Sequence, residues 1–217
     1  MLSLPEKVLL FALDNDTGKI CHLPEQYIDY ALAGALIMEL ALQNRLHTTE
    51  DATLKVLDKA LVGNPTLDST LELLPEVGEN VSLEKALADV SAKTKEFMEN
   101  ILQELVDKEI LKREDYRYLL VFSKECYPMV DPTEEIAIRT RLRDILLAEK
   151  APRDKDTILI GITHVCNLLK PIFTDSEWES VEPRLHALTK HEVMSQTIAK
   201  ILELIQQAVL LVVTNAG

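Results

Sequence analysis

The chain has 217 residues, 47% of them hydrophobic, and its 36 acidic and 23 basic side chains leave a formal charge of −13. That size suits one domain spanning residues 1–217 with a sizeable core, and the acidic balance excludes broad electrostatic binding to nucleic acid, which needs a basic surface. Aromatic residues make up only 5%, so Leu, Ile, Val and Ala must fill the core, which favours helices.

The first segment, "LSLPEKVLLFALDNDTG", carries six consecutive apolar residues from Val8 to Leu13. Its flanks fit a buried helix and not an export signal. The start is barely positive, the run is short and "DNDTG" stands where small neutral residues would be wanted. Ser3 and Glu6 have capping-box spacing, Pro5 suits a first turn, and Gly18 can take positive φ in the turn that follows.

"GKICHL" is read as a short strand, and Glu25 to Arg45 as a long helix, apolar on more than one side and therefore central. "LHTTEDATLKVLD" suggests a hairpin around Glu50 and Asp51, and "GNPTLDSTLELLPE" a turn and short helix. The span from Ser82 to Leu111 has helical spacing with room for two helices. "KREDYRYLLVFSK" suits a second hairpin that turns at Arg113–Asp115, with Tyr116 to Phe122 as one arm.

"DPTEEIAIRTRLRDILLAEK" opens with Asp131 as N-cap and Pro132 at the first helical position. Glu134 and Glu135 serve the positive helix start. "APRDKD" is a charged connection and "TILIGITHVCNLLKPIF" a helix. "TDSEWESVEPRLHAL" is a helix broken or started by Pro183, and a last helix closes the chain. The expected fold is mainly α, one domain with a central buried helix and one or two small β-hairpins. The longest apolar stretches, "YALAGALIM" and "AVLLVV", fall short of the ~20 residues that span a bilayer.

Three widely spaced cysteines, Cys21, Cys126 and Cys166, fit reduced thiols and an intracellular chain. No sequence pattern announces catalysis, a cofactor or a metal. His164 and Cys166 lie two apart, which points them to different sides of a helix, so a nucleophile–base pair is poorly served; a hydrolase using them is the least favoured reading. His186 and His191 flank "ALTK", expected to be an exposed loop. From Arg139 to Lys155 six basic residues face three acidic ones. Arg139 and Arg143 share a helix face and could hold a phosphate, or could make surface ion pairs.

The order of these segments resembles the Golgi phosphoprotein 3 family over nearly the whole chain. The opening helix and turn, "ALAGALIMELALQNRL" with Gly34, Glu39, Leu40 and Arg45, "NPTLDSTLELL", "ILQELVDKEILKRED" and "DPTEEIAIRTRLRDILL" occur in family order; the last is close to bacterial members. Leu67 replaces a family glycine. The resemblance implies a non-enzymatic protein, cytoplasmic or peripheral on a cytosol-facing membrane, that binds phosphatidylinositol 4-phosphate and acts as an adaptor for protein clients.

Carried onto this chain, the family's headgroup site falls at Pro24, Ala33, Lys95 and Met98, and only Lys95 keeps its charge. Tyr27 or Tyr30 is the candidate replacement for the missing aromatic ring, and Lys93 or Arg139, with Arg143, for the missing cations. The family hairpin, which mediates self-association in some members, corresponds to "REDYRYLLVF". Tyr116, Tyr118 and Leu120 alternate on one face, either for contact with a second copy or for packing on the chain's own core. The alternative function is a protein-interaction or homo-oligomeric scaffold that has lost the lipid site.

Overall fold

Helix α1 (Leu4–Ala12) begins where Ser3 and Glu6 predict: the Ser3 backbone N–H and hydroxyl both donate to Glu6 Oε2, at 2.8 and 2.9 Å. The computed structural model describes residues 2–20, 25–49, 51, 53–118, 122–189 and 196–215. Leu4, Val8, Leu9, Leu10, Phe11 and Ala12 are buried, and each fully buried leucine contributes about 1.5–3 kcal/mol relative to exposure. The opening apolar run is therefore core.

The turn after α1 is held by Thr17 N–H donating to Asp14 Oδ1 at 2.8 Å. Gly18 is required there for two reasons. Its φ of 62° lies in the left-handed region, and an added Cβ would fall on the backbone of Tyr127 and Pro128. That distant segment docks on the turn: Tyr127 N–H donates to Gly18 O at 2.9 Å and Met129 N–H to Asn15 O at 3.2 Å. Of the strand expected at "GKICHL", the described part carries a bridge between Ile20 and Leu13; residues 21–24, with Cys21 and Pro24, lie outside the described residues.

Helix α2 (Glu25–Leu42) is the central helix that its all-round apolarity requires, with every residue from Ala31 to Leu40 buried. It stops short of Arg45 because Asn44 turns the chain with φ 57°. The predicted hairpin follows as β1 (Leu46–Thr48) and β2 (Thr53–Val56). A third strand, β3 (Asn80–Ser82), completes an antiparallel sheet of order β1-β2-β3. Three residues are too few to display an alternating pattern, which is why the sequence does not announce it.

Between β2 and β3, Asn64 caps α3 (Pro65–Leu73) by accepting from Leu67 N–H at 2.9 Å. The span after β3 divides into α4 (Leu83–Ser91) and α5 (Thr94–Asp107). The second hairpin is β4 (Glu114–Tyr118) with β5 (Phe122–Cys126), paired from Glu114↔Cys126 to Tyr118↔Phe122. This corrects the sequence reading. "RED" is no turn: Glu114 and Asp115 are strand residues, and the reversal lies between Tyr118 and Phe122. Charged residues suit this ribbon because they pair nearby, Lys112 with Glu114 at 2.7 Å and Arg113 with Glu125.

Helix α6 (Thr133–Leu147) starts one residue later than predicted, with Asp131 Oδ1 accepting from Thr133 N–H at 3.0 Å. Helix α7 (Asp154–Val165) absorbs part of the expected charged connection, and a short 3-10 turn (Lys170–Ile172) follows. Helix α8 (Asp175–Thr189) runs through Pro183 unbroken. Pro183 and Glu179, whose carbonyl loses its donor, are both exposed, so water can take that bond. Helix α9 (Gln196–Asn215) packs on α2 and α7, where Gly34 and Gly161 give room to Ile205 and Leu202.

Among the described residues helix accounts for 62%, a mainly α architecture whose hydrophobic core runs from Leu2 to Ile205. Set into that core are Glu6, Glu39, Glu135 and Asp156, each buried and each paired: Glu6 with Lys108, Glu39 with Lys155, Glu135 with Arg139, and Asp156 with Arg141 and Arg153. A buried charge without such a partner would be expelled or neutralised.

Burial alone would raise the Glu39 carboxyl, but hydrogen bonds from Lys155, Leu4 N–H and Gln43 outweigh it and hold the carboxyl below its ordinary 4.5. Asp156 is likewise held below 3.8, with Arg153 and Arg141 overcoming burial. Folded values below the unfolded ones mean stability that is complete above about pH 4.5 and is lost as pH falls through the depressed values. Glu39→Gln should cost about 1–3 kcal/mol, less than a fully buried pair because Lys155 is partly exposed, and should flatten this acid limb. Urea midpoints between pH 3 and 7 measure both effects; an unchanged acid limb would refute the assignment.

Candidate functional site

The residues singled out for anion binding fall into two groups. At the first, α2 meets the start of α5 through Thr94 Oγ1, which donates to Asp29 Oδ1 at 2.6 Å across 65 residues of sequence. Tyr30 follows Asp29, and Lys93 and Lys95 flank Thr94. Both lysines are exposed and Tyr30 is half-buried. Lys93 occupies the N-cap position of α5 with no side-chain cap, so free backbone N–H groups and the positive helix end add to the two ammonium groups. Glu96 in the first turn offsets one of them.

Tyr27 has a different fate. It is buried, and its carbonyl accepts the Cys166 thiol at 3.7 Å; Tyr30 is the tyrosine that reaches the surface. Ala33 is fully buried on α2, and Met98 packs half-buried against the core one turn beyond Lys95.

The second group, on α6, is occupied by the chain's own carboxylates. Arg139 pairs with Glu135 and lies over the Phe11 ring at 5.4 Å. Arg143 pairs with Glu177, donates to Ile172 O at 2.6 Å and covers the Phe173 ring. Glu177 is pulled down to about 2, first by Arg143 and then by Thr174 N–H. Glu135 is thus a buried partner of Arg139, not only a charge at a helix start. Phe173 stacks obliquely on Trp178, which also meets His164, with ring centroids 5.9 and 6.3 Å apart.

Catalytic chemistry at Cys166 is contradicted by its surroundings. The thiol is fully buried, and burial pushes it up to about 12, whereas a reactive cysteine needs an exposed thiolate. His164 is held below its ordinary value by burial, then by His186, and sits against Trp178. His186 lies on the exposed side of α8, not in a loop; His191 is outside the described residues. Leu120 is outside them too, as are the side chains of Tyr116 and Tyr118.

The profile of the Golgi phosphoprotein 3 (GPP34) family matches residues 4–205. The chain belongs to the Golgi phosphoprotein 3 family. Vacuolar protein sorting-associated protein 74 of Eremothecium gossypii is 28% identical over 166 residues, covering 67% of this chain and 49% of that protein. Its counterpart in Schizosaccharomyces pombe is 27% identical over 165 residues, covering 67% and 48%. A VPS74-like protein of Dictyostelium discoideum is 25% identical over 162 residues, covering 67% and 61%. The chain spans about half the length of the first two of these relatives.

The sequence reading missed how many cations are tied to carboxylates on other helices. Partners such as Arg143 and Glu177, 34 residues apart, leave no local spacing signal. The inertness of Cys166 can be tested directly: in the native Golgi phosphoprotein 3 fold it should resist iodoacetamide, with labelling, followed by mass spectrometry, appearing only as denaturant unfolds the chain. Fast labelling of the native chain would reopen the nucleophile.

Proposed function

We propose that this chain is a non-catalytic, peripheral binder of anionic phosphoinositide headgroups, of the phosphatidylinositol 4-phosphate type. The observation that carries the reading is the junction of α2 and α5: Lys93 and Lys95 stand exposed beside the Asp29–Thr94 bond, in a family member, where the family resemblance puts its headgroup contacts. Cations and backbone donors at a helix start suit a phosphate, and Tyr30 offers a ring beside them. Among the described residues no helix is long and apolar enough to cross a membrane, so attachment in this reading is peripheral.

Ala33 and Met98 supply no charge, so the site relies on fewer cations and should bind more weakly, with a shallower dependence on salt. Vesicle flotation with and without phosphatidylinositol 4-phosphate, at low and physiological salt, tests it. Headgroup-dependent binding should persist at physiological salt, where screening acts over ~8 Å. Lys95→Glu should weaken it roughly tenfold or more, the scale of one lost hydrogen bond to a charged group. Equal binding to vesicles lacking the headgroup would overturn the reading.

A second reading, self-association through the β4–β5 ribbon, is favoured by its two-stranded form: among the described residues each strand pairs only with the other, which leaves outer edges able to accept another strand. Sedimentation velocity of the native chain and of a Tyr116→Ser, Leu120→Ser double variant should show an oligomer that dissociates to monomers with unchanged vesicle binding. Identical sedimentation of the two would remove this reading.

A further inference from the structure

Another basic cluster lies where the N-terminal ends of α1 and α7 meet, at Glu39, ten residues beyond Asp29 and so ~15 Å farther along α2. Leu4 N–H and Lys155 Nζ both donate to the Glu39 carboxylate, at 2.9 and 2.8 Å. Beside it, Asp156 accepts from Arg141 at 2.8 Å and from Arg153 at 3.2 Å. Lys7, on α1 one turn after Leu4, completes the group. Four basic side chains thus meet two carboxylates, a surplus of two on a strongly acidic chain.

The two signs are separated by depth. The carboxylates lie beneath, with Glu39 and Asp156 side chains 4% and 7% exposed, while Lys155 is 37% and Arg153 72% exposed. Arg141 is more heavily engaged: its Nε and Nη2 donate to Asp156, and Nη2 also donates to Ala151 O at 2.8 Å. Lys155 uses one of its three donors on Glu39, and Arg153 makes only long contacts to Asp156 besides. Lys7 is half-buried, and among the described residues no carboxylate lies within ion-pair distance of its ammonium.

The charges that act most strongly on Lys7 are Lys155, Asp156, Arg153 and Glu39; Asp154 stands exposed at the start of α7. Burial first, and then Lys155, hold the Lys7 ammonium below the ordinary lysine range. A partly desolvated cation beside a second cation works against folding. Such a cost is typical of a binding site whose ligand supplies the missing charge.

We infer that Lys7, Arg153 and Lys155 form a site for a doubly charged tetrahedral oxyanion, the phosphate of a phosphomonoester. Its spare donors come from two helices, so they can reach several oxygens at once, and a dianion matches the surplus of two. A carboxylate would neutralise half of it. The inference does not rest on the α2–α5 reading.

The test titrates the full chain with inorganic phosphate against chloride at constant ionic strength, by calorimetry and by thermal midpoint. A saturable, phosphate-specific rise in midpoint is expected. Lys7→Gln should weaken phosphate binding roughly tenfold while leaving the midpoint without phosphate unchanged or higher, because it removes a repulsion. Arg153→Gln, at a well-exposed side chain, should weaken binding similarly. Phosphate indistinguishable from chloride, or Lys7→Gln binding as tightly as the native chain, would overturn the site. So would loss of the phosphate response in Lys95→Glu, which would move the anion to α5. Vesicles containing phosphatidylinositol 4-phosphate separate the sources: release by Lys7→Gln assigns the phosphate to a lipid headgroup, and retention assigns it to a soluble phosphoester.

Discussion

The carboxylate of Glu39 is the fixed point around which this structure is arranged. It sits 3% exposed on the central helix and must find partners for its charge inside the protein. It finds the first backbone N–H of α1, the ammonium of Lys155 on α7 and the amide of Gln43 just past the end of its own helix. Apolar packing on α2 is non-directional, and any of several rotations of α1 and α7 would bury similar area. One buried charge with three directed partners selects among them, a role for buried ionic groups attested in other folds.

The helical order of the chain was legible because it rests on local signals. Ser3 and Glu6 marked the first helix, and the all-round apolarity of Ala31 to Leu40 marked the helix that neighbours must surround. What was not legible depended on distance in sequence. The Asn80–Ser82 strand is too short to carry a pattern, and the charged "RED" looks like a turn until its partners at Glu125 and Cys126 are in view. Arg139 and Arg143 met the alternative already weighed for them: each is held by a carboxylate, one a turn away and one on α8. Lys155 and Glu39, separated by 116 residues, gave no sign of each other at all.

Surface chemistry in this chain is governed by which charges are already spent. Most cations are bound to carboxylates, consistent with the acid excess, so an exposed lysine with unused donors is informative where one on a basic protein would not be. Lys93 and Lys95 meet that test beside α2; at the ends of α1 and α7 the half-buried Lys7 also lacks a carboxylate partner among the described residues and adjoins Lys155 and Arg153, which keep donors to spare. Both places combine a helix start with ammonium groups, but they differ beneath: the first rests on Asp29 and Thr94, the second on carboxylates that fix its cations in place.

The docking of the Asp14–Gly18 turn against Tyr127–Met129 has a consequence for how the protein is made. Helix α1 is among the most apolar, yet many of its contacts are synthesised long after it: Lys108 for Glu6, residues 127 to 129 for the turn, and Lys155 for the carboxylate at its N-terminus. Until residues 108 to 155 have been synthesised, that helix lacks every one of these partners. Long-range contacts of this kind slow folding and expose apolar surface in the meantime. Between the synthesis of α1 and that of its later partners, α2 is the element that can cover its apolar face.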